Sequence, residues 1–356
     1  MSPQLSRAAQ WWLHSGIQLP SGGVARYYRS DLQRNHSVST EITGYAVSTL
    51  VYLHSLTGDP QLLERARSAA CFLVNAWDST ISAIPFELDP ADATYYFDCG
   101  IIVRGLLAAW RATGAYQFRE TAAAIGSGML RDFSAADGGF HPILGLPAKT
   151  PAPRDADRWS RCPGCYQLKS AMAWYDLGEA TGAIEFRSAY EDAVQFALRT
   201  CGSFLPGHSE SAKVMDRLHA YAYFLEGLLP LATRPDCARA LDHGIARVAE
   251  FLRQIAPEFE RSDVYAQLLR IRIYADSAGV APLDRAAAEW EAARLAEFQA
   301  ESPDPRIAGG FYFGRRASDR MPYLNPVSTA FALQALALWD DFRHGAKKPT
   351  RRDLLI

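Results

Sequence analysis

The sequence predicts an all-helical (α/α)6 toroid, six helical hairpins arranged as an inner and an outer ring. Three observations carry that prediction: a phrase repeated at helix ends, an alternation of apolar with amphipathic helices, and enough length for six such pairs. The repeated phrase comes first. Apolar helical segments end in His54-Ser55-Leu56-Thr57-Gly58-Asp59, Trp110-Arg111-Ala112-Thr113-Gly114 and Gly178-Glu179-Ala180-Thr181-Gly182, with a weaker echo at Ala275-Asp276-Ser277-Ala278-Gly279. The glycine suits the position just past a helix, where the chain turns left-handed to close the last turn. A second, more polar helix follows each of the first three, over 61–77, 116–133 and 184–201.

Extending that unit places apolar helices near 41–57, 97–113, 165–181, 216–232, 263–278 and 326–340. Their amphipathic partners fall near 60–77, 116–133, 184–200, 235–254 and 285–300, and the helix at 4–16 supplies the sixth. The first set is hydrophobic nearly all round, as in Ile101-Ile102-Val103 followed by Leu106-Leu107-Ala108-Ala109-Trp110. A helix of that kind is buried by neighbours on every side. Arg65, Arg67, Arg247 and Glu250 mark solvated faces on the partners. Two concentric rings satisfy both patterns; an open solenoid is the alternative, and the N-terminal helix able to complete the last pair favours closure.

A second repeat precedes the inner helices: Gly22-Gly23-Val24, Gly138-Gly139-Phe140 and Gly309-Gly310-Phe311, with weaker versions at Ile84-Pro85-Phe86 and Gly202-Ser203-Phe204. Glycine pairs allow positive φ and close backbone approach, and the apolar residue after them plugs between helices. On these features the chain resembles the six-hairpin glycosidase and sugar-epimerase toroids in its hairpins and Thr-Gly helix ends. Its Gly-Gly-Phe segments resemble those of the terpenoid cyclases and protein prenyltransferases, which share the toroid. The resemblance is architectural and covers nearly the whole chain. It implies the fold strongly and the chemistry weakly, because one fold hosts many functions.

Composition narrows the classes further. The chain has 356 residues, 49% of them hydrophobic and 21% charged, with a formal net charge of -2. That is an ordinary globular composition, ample for a sizeable core, and it carries no electrostatic footprint for nucleic acid or an anionic membrane. The stretch 1–16 reads as an amphipathic helix with Trp11, Trp12 and Leu13. It has no basic stretch followed by a continuous apolar run, so an ordinary helix and not a signal peptide is the expectation. No run of eighteen apolar residues occurs, and cytoplasmic residence is the expectation. The domain is expected to span 1–345, with 346–356 (Lys347, Lys348, Arg351 and Arg352 among them) as a short basic, solvated tail.

Residues near the N-termini of the inner helices should face the central cavity. They include Glu41 and Tyr45, Tyr96 and Asp98, Tyr166, His219, Tyr221 and Tyr223, Asp263, and Asn325, with Arg316 and Tyr323 from the preceding loops. Aromatic faces beside charged groups suit a sugar ring, whose C–H faces pack on the aromatics while its hydroxyls seek charged partners. Glu41, Asp98 and His219 are the candidate catalytic groups. Each carboxylate is equally well placed to stabilise a helix N-terminus, and His219 to be a buried, hydrogen-bonded ring. Two carboxyls converging on one cavity is nevertheless what acid/base hydrolysis needs. His219 paired with His141 or His208 would instead suit proton removal and return, as in epimerisation. Arg104, Arg217 and Arg270 on apolar helices each call for an acidic partner or an anionic substrate group.

Six cysteines in a chain this long do not suggest a disulfide scaffold. Cys162-Pro163-Gly164-Cys165 is the sharpest local motif and has three readings: a zinc half-site, a redox pair, or a turn with two cysteines. Cys99, Cys201 and His219 are the residues that would complete a zinc site. No cofactor is otherwise required. No Asp-x-Asp-Asp, Asp-Asp-x-x-Asp, P-loop, Gly-x-Gly-x-x-Gly or Gly-x-Ser-x-Gly occurs. The sequence thus favours a carbohydrate-active enzyme, of glycoside hydrolase or epimerase type, acting on a small or oligosaccharide substrate. An isoprenoid-handling or zinc-dependent transferase and a non-catalytic glycan- or protein-binding toroid are the alternatives.

Overall fold

A computed structural model describes residues 2–345 and 352–356. Its helices in chain order are α1 (Pro3–His14), α2 (Thr40–Thr57), α3 (Pro60–Ala76), α4 (Tyr96–Thr113), α5 (Tyr116–Asp132), α6 (Leu168–Thr181), α7 (Ile184–Thr200), α8 (Ser211–Leu228), α9 (Pro235–Ile255), α10 (Ser262–Ser277), α11 (Arg285–Ala296) and α12 (Pro326–Arg343). The even-numbered helices form the inner ring: each packs on the next, and α12 packs on α2. The odd-numbered ones lie outside, α1 against α12 and α3 to α11 against their preceding partners. The ring is therefore closed, and the N-terminal helix completes the sixth pair as expected. Among the described residues no helix is long and apolar enough to cross a membrane.

The two rings differ as their sequences require. In α10 every residue from Ser262 to Ala275 is buried, whereas α9 buries a stripe of Cys237, Leu241, Gly244, Ile245, Val248, Leu252 and Ile255 at helical spacing. Gly58, Gly114 and Gly182 stand just past α2, α4 and α6 with φ of 72°, 70° and 76°. In that conformation the amide of Gly58 bonds back to His54 and ends the helix. The Gly-Gly segments lie against the outer wall. A Cβ at Gly139 would stand 2.5 Å from the Phe196 ring, while Val24, Phe140 and Phe311 fill the space between helices.

Small antiparallel sheets occupy the outer-to-inner connections at one end. One joins Ala93–Tyr95, Ile143–Gly145 and Thr150–Pro151; another joins Phe259–Arg261, Gly314–Arg316 and Asp319–Arg320; a third joins Tyr28–Arg29, Arg34–Asn35 and Tyr323–Leu324. Two of these strands run directly into α4 and α10. Pairing thus fixes where each inner helix starts and which residues it points inward.

The opposite end corrects an expectation. Of the predicted solvated tail, residues 352–356 pack into the core, with Leu355 and Ile356 buried. Lys169 and Arg270 donate to the Ile356 oxygen at 2.9 and 3.1 Å, Arg104 donates to Leu355 O at 2.8 Å, and Arg352 pairs with Asp176 at 2.9 Å. Lys347, Lys348 and Arg351 lie outside the described residues. The arginines of the apolar helices also find their partners within the protein. Arg104 pairs with Asp176 at 2.9 Å and Arg270 with Glu226, while Arg217 lies over the Phe204 ring and donates to its carbonyl.

Candidate active site

The N-terminal ends of the inner helices surround a cavity of about 280 Å³. Each wall comes from a different element. Glu41 stands in the first turn of α2; Tyr95, Phe97 and Asp98 come from the strand entering α4 and its first turn. The connection into α6 supplies Trp159, Ser160, Tyr166 and Gln167, α8 supplies His219 and Tyr223, and the strand entering α10 supplies Arg261.

Neither mouth carboxyl serves as its helix's cap. Ser39 Oγ accepts the Ile42 amide and caps α2, leaving Glu41 free to face the cavity. Among the described residues neither carboxyl has an ion-pair partner, and Asp98 Oδ2 is buried without a hydrogen bond. Burial pushes the Glu41 carboxyl up to about 7, against the pull of Arg26. Burial raises Asp98 well above the usual carboxylate range, and the neighbouring Glu41 raises it further. Two carboxyls in one poorly solvated space resist ionising together, so a proton is held at the cavity wall at neutral pH.

His219 is the complementary group. Burial holds its ring down, to about 4, despite the nearby Asp263. Nδ1 lies 2.8 Å from Gln267 Oε1 and 3.4 Å from Asp263 Oδ2. Gln267 Nε2 donates to the His219 carbonyl, which fixes the amide so that its oxygen faces Nδ1. With acceptors on that side, Nδ1 carries the hydrogen and the neutral ring keeps a lone pair on Nε2. Asp263 is in turn gripped by Arg261 through two parallel bonds of 3.0 and 2.6 Å. Aromatic surfaces close the remaining sides. Trp159 meets Tyr166 edge-on at 4.9 Å, and Phe97 lies 4.7 Å from Tyr223.

Of the residues singled out from sequence, Glu41, Asp98, His219, Tyr166 and Tyr223 line one cavity. Asp263 supports it from behind His219. Tyr45 lies a layer below, its hydroxyl donating to that of Tyr223 at 3.3 Å. The others point elsewhere. Tyr96 is rotated outward and stacks on Phe140 at 4.6 Å, so its neighbours Tyr95 and Phe97 take the cavity wall. Tyr221 packs against Phe224 and Gly244, two residues out of step with the inward pair His219 and Tyr223. Asn325 caps α12 through bonds to the amides of Val327 and Ser328. Tyr323 packs on Tyr27 and under Arg29 at the rim, and Arg316 is exposed over Phe259.

Cys162 donates to the Asp155 carbonyl and Cys165 is buried. Among the described residues no group of three His, Cys, Asp or Glu side chains is arranged to hold a metal, so Cys99, Cys201 and His219 do not complete a set. Sequence reasoning missed Arg261, Gln267 and Gln167. A signal existed for the first two, since Arg261, Asp263 and Gln267 stand at the start of one apolar helix, Gln267 one turn beyond Asp263.

No family model matches the sequence, and no curated protein matches it significantly. Solved structures match the fold over nearly its full length. A sugar epimerase from a ruminal bacterium superposes with a TM-score of 0.71 at 11% identity, covering 94% of this chain and 97% of that one. A cellobiose 2-epimerase from Spirochaeta thermophila gives 0.71 at 14% identity, covering 93% and 94%. An unsaturated glucuronyl hydrolase specific for heparin gives 0.71 at 14%, covering 97% and 98%. The chain is thus an (α/α)6 toroid with the architecture of the six-hairpin glycosidases and sugar epimerases.

Proposed function

We propose that the chain is a carbohydrate-active enzyme that cleaves a glycosidic bond in the mouth cavity, with Asp98 as proton donor and Glu41 as its carboxyl partner. The observation that carries this reading is the pair itself: two carboxyls lining one cavity from different helices, without ion-pair partners among the described residues and pushed upward by burial. Such a pair holds one proton to give to a leaving oxygen and one carboxylate to act on the other side of the ring. The aromatic walls from Trp159, Tyr166, Phe97 and Tyr223 suit the faces of a sugar, and the similar folds include enzymes named for acting on sugars. The chemistry calls for no cofactor.

Epimerisation through two histidines is the weaker reading for this cavity. His219 lines it, but His208 is off the wall and bonded to the Glu210 amide, and His141 is not on the wall either. The test is a panel of glycosides and oligosaccharides incubated with the wild-type chain, Asp98→Asn and Glu41→Gln. The proposal expects new reducing ends with the wild type and a loss of roughly 10²–10⁴-fold in each variant, with unchanged circular dichroism. Interconversion of sugars with solvent deuterium uptake at carbon and no new reducing ends would replace hydrolysis with epimerisation.

A further inference from the structure

Among the described residues Arg261 is the one cationic side chain on the cavity wall, yet its charge is already spent within the protein. Its Nε and one terminal nitrogen take both oxygens of Asp263, and the other terminal nitrogen takes Asp216 at 2.7 Å. The guanidinium also lies 4.5 Å over the Phe313 ring. Strand pairing of Arg261 with Gly314 holds the backbone from which it reaches. A guanidinium so engaged has little left for a substrate, and the planar fork fixes the carboxylate it holds.

That carboxylate is the one beside His219. We propose that Arg261 is the positioning residue of His219: by clamping and neutralising Asp263 it keeps the imidazole uncharged, with Nδ1–H turned to Gln267 and a bare Nε2 turned to the cavity. This rests on reading the cavity as an acid/base site. Without the clamp, Asp263 would stand 3.4 Å from Nδ1 as an uncompensated carboxylate and would draw a second proton onto the ring. The other groups facing His219 do not substitute for Arg261. α10 brings Asp263 and Gln267; α8 brings Asp216, Tyr223 and, deeper, Glu226; α2 and α4 bring Glu41 and Asp98 to the same cavity. All of these are acidic or neutral.

The functional consequence is a division of labour. The carboxyl pair supplies the proton, and His219 stays a neutral acceptor that can take a hydrogen bond from a sugar hydroxyl at any pH where the pair is active. A protonated His219 would instead place a cation beside Glu41 and Asp98, drawing both toward the ionised form and removing the acid.

The test is a pH titration of the His219 ring by ¹H–¹⁵N NMR in the intact, substrate-free chain, assigned with His219→Gln. The wild type should stay neutral and Nδ1-protonated down to about 4. Arg261→Met should raise the midpoint by about 1–3 pH units, and the double variant Arg261→Met/Asp263→Asn should bring it back down. Asp263→Asn alone should leave the midpoint where it is or lower it, and it decides the matter if Arg261→Met does not fold. An unchanged midpoint in Arg261→Met, or a rise in Asp263→Asn, would overturn the proposal. The titration needs no turnover, so it stands or falls separately from the assignment of glycoside cleavage.

Discussion

The inner ring buries charged groups at both its ends, on opposite terms. At the far end Glu226 is sandwiched between Lys169 at 2.9 Å and Arg270, and Asp176 lies between Arg104 and Arg352. Burial would raise the Glu226 carboxyl, but Arg270 and Lys169 outweigh it and hold the group below the usual range. At the mouth Asp98 is buried and Glu41 partly so, and neither has such a partner among the described residues, so burial wins and both rise. Paired carboxylates of the first kind tie helices α6, α8 and α10 to the segment 352–356. Unpaired ones of the second kind cost stability and hold a proton, which is why perturbed groups cluster where chemistry is done. On the proposed chemistry, the same residue type is architecture at one end and reagent at the other.

The largest expected effect breaks the far end. Glu226→Ala leaves Lys169 and Arg270 buried without a counter-charge and should cost about 3–5 kcal/mol in urea unfolding. Glu41→Gln, at the mouth, should cost nothing at neutral pH. A loss in Glu41→Gln comparable with that in Glu226→Ala would erase the distinction between the two ends.

A smaller effect sharpens it through pH. Folded Glu41 keeps its proton up to about 7, while the unfolded chain releases it near 4.5. Across that window the native state binds more protons, so stability falls as pH rises and then levels off. Removing the group should therefore stabilise the chain above pH 7, by about 1–3 kcal/mol. For Glu226 the sign is reversed: its contribution is present above the ordinary carboxylate range and is lost as pH falls through it. Thermal melts from pH 4 to 8 should show Glu41→Gln flattening the decline toward alkaline pH. A decline of the same slope in that variant would place its origin elsewhere.

Much of the architecture was legible because the repeat is written in residues with strong local preferences. Gly58, Gly114 and Gly182 end three inner helices where the Thr-Gly phrase put them, and the helices there begin and end within a few residues of their expected bounds. α8 begins earlier than expected, at Ser211, with Val214 and Met215 already buried as part of the helix. The site was legible only to the level of the helix turn. Adjacent residues on a helix differ in direction by about 100°. A choice between Tyr95 and Tyr96, or between Tyr221 and Tyr223, thus rests on a rotation that composition does not encode. His219 and Tyr223, four apart, fall on one face together, and Tyr221 between them cannot. The burial of Leu355 and Ile356 was hidden because a basic, proline-containing approach carries no signal for what the last apolar residues cover.

Central to the proposed chemistry is a Glu41–Asp98 carboxyl pair that keeps a proton at neutral pH. The direct measurement is a ¹³C-carboxyl NMR titration of the intact chain, with the two signals assigned from Glu41→Gln and Asp98→Asn. Glu41 should titrate near 7 and Asp98 well above the usual carboxylate range, and removing either partner should bring the other's midpoint down. Two independent midpoints near 4, unmoved by the partner's removal, would contradict the account and return both residues to ordinary helix N-terminal carboxylates.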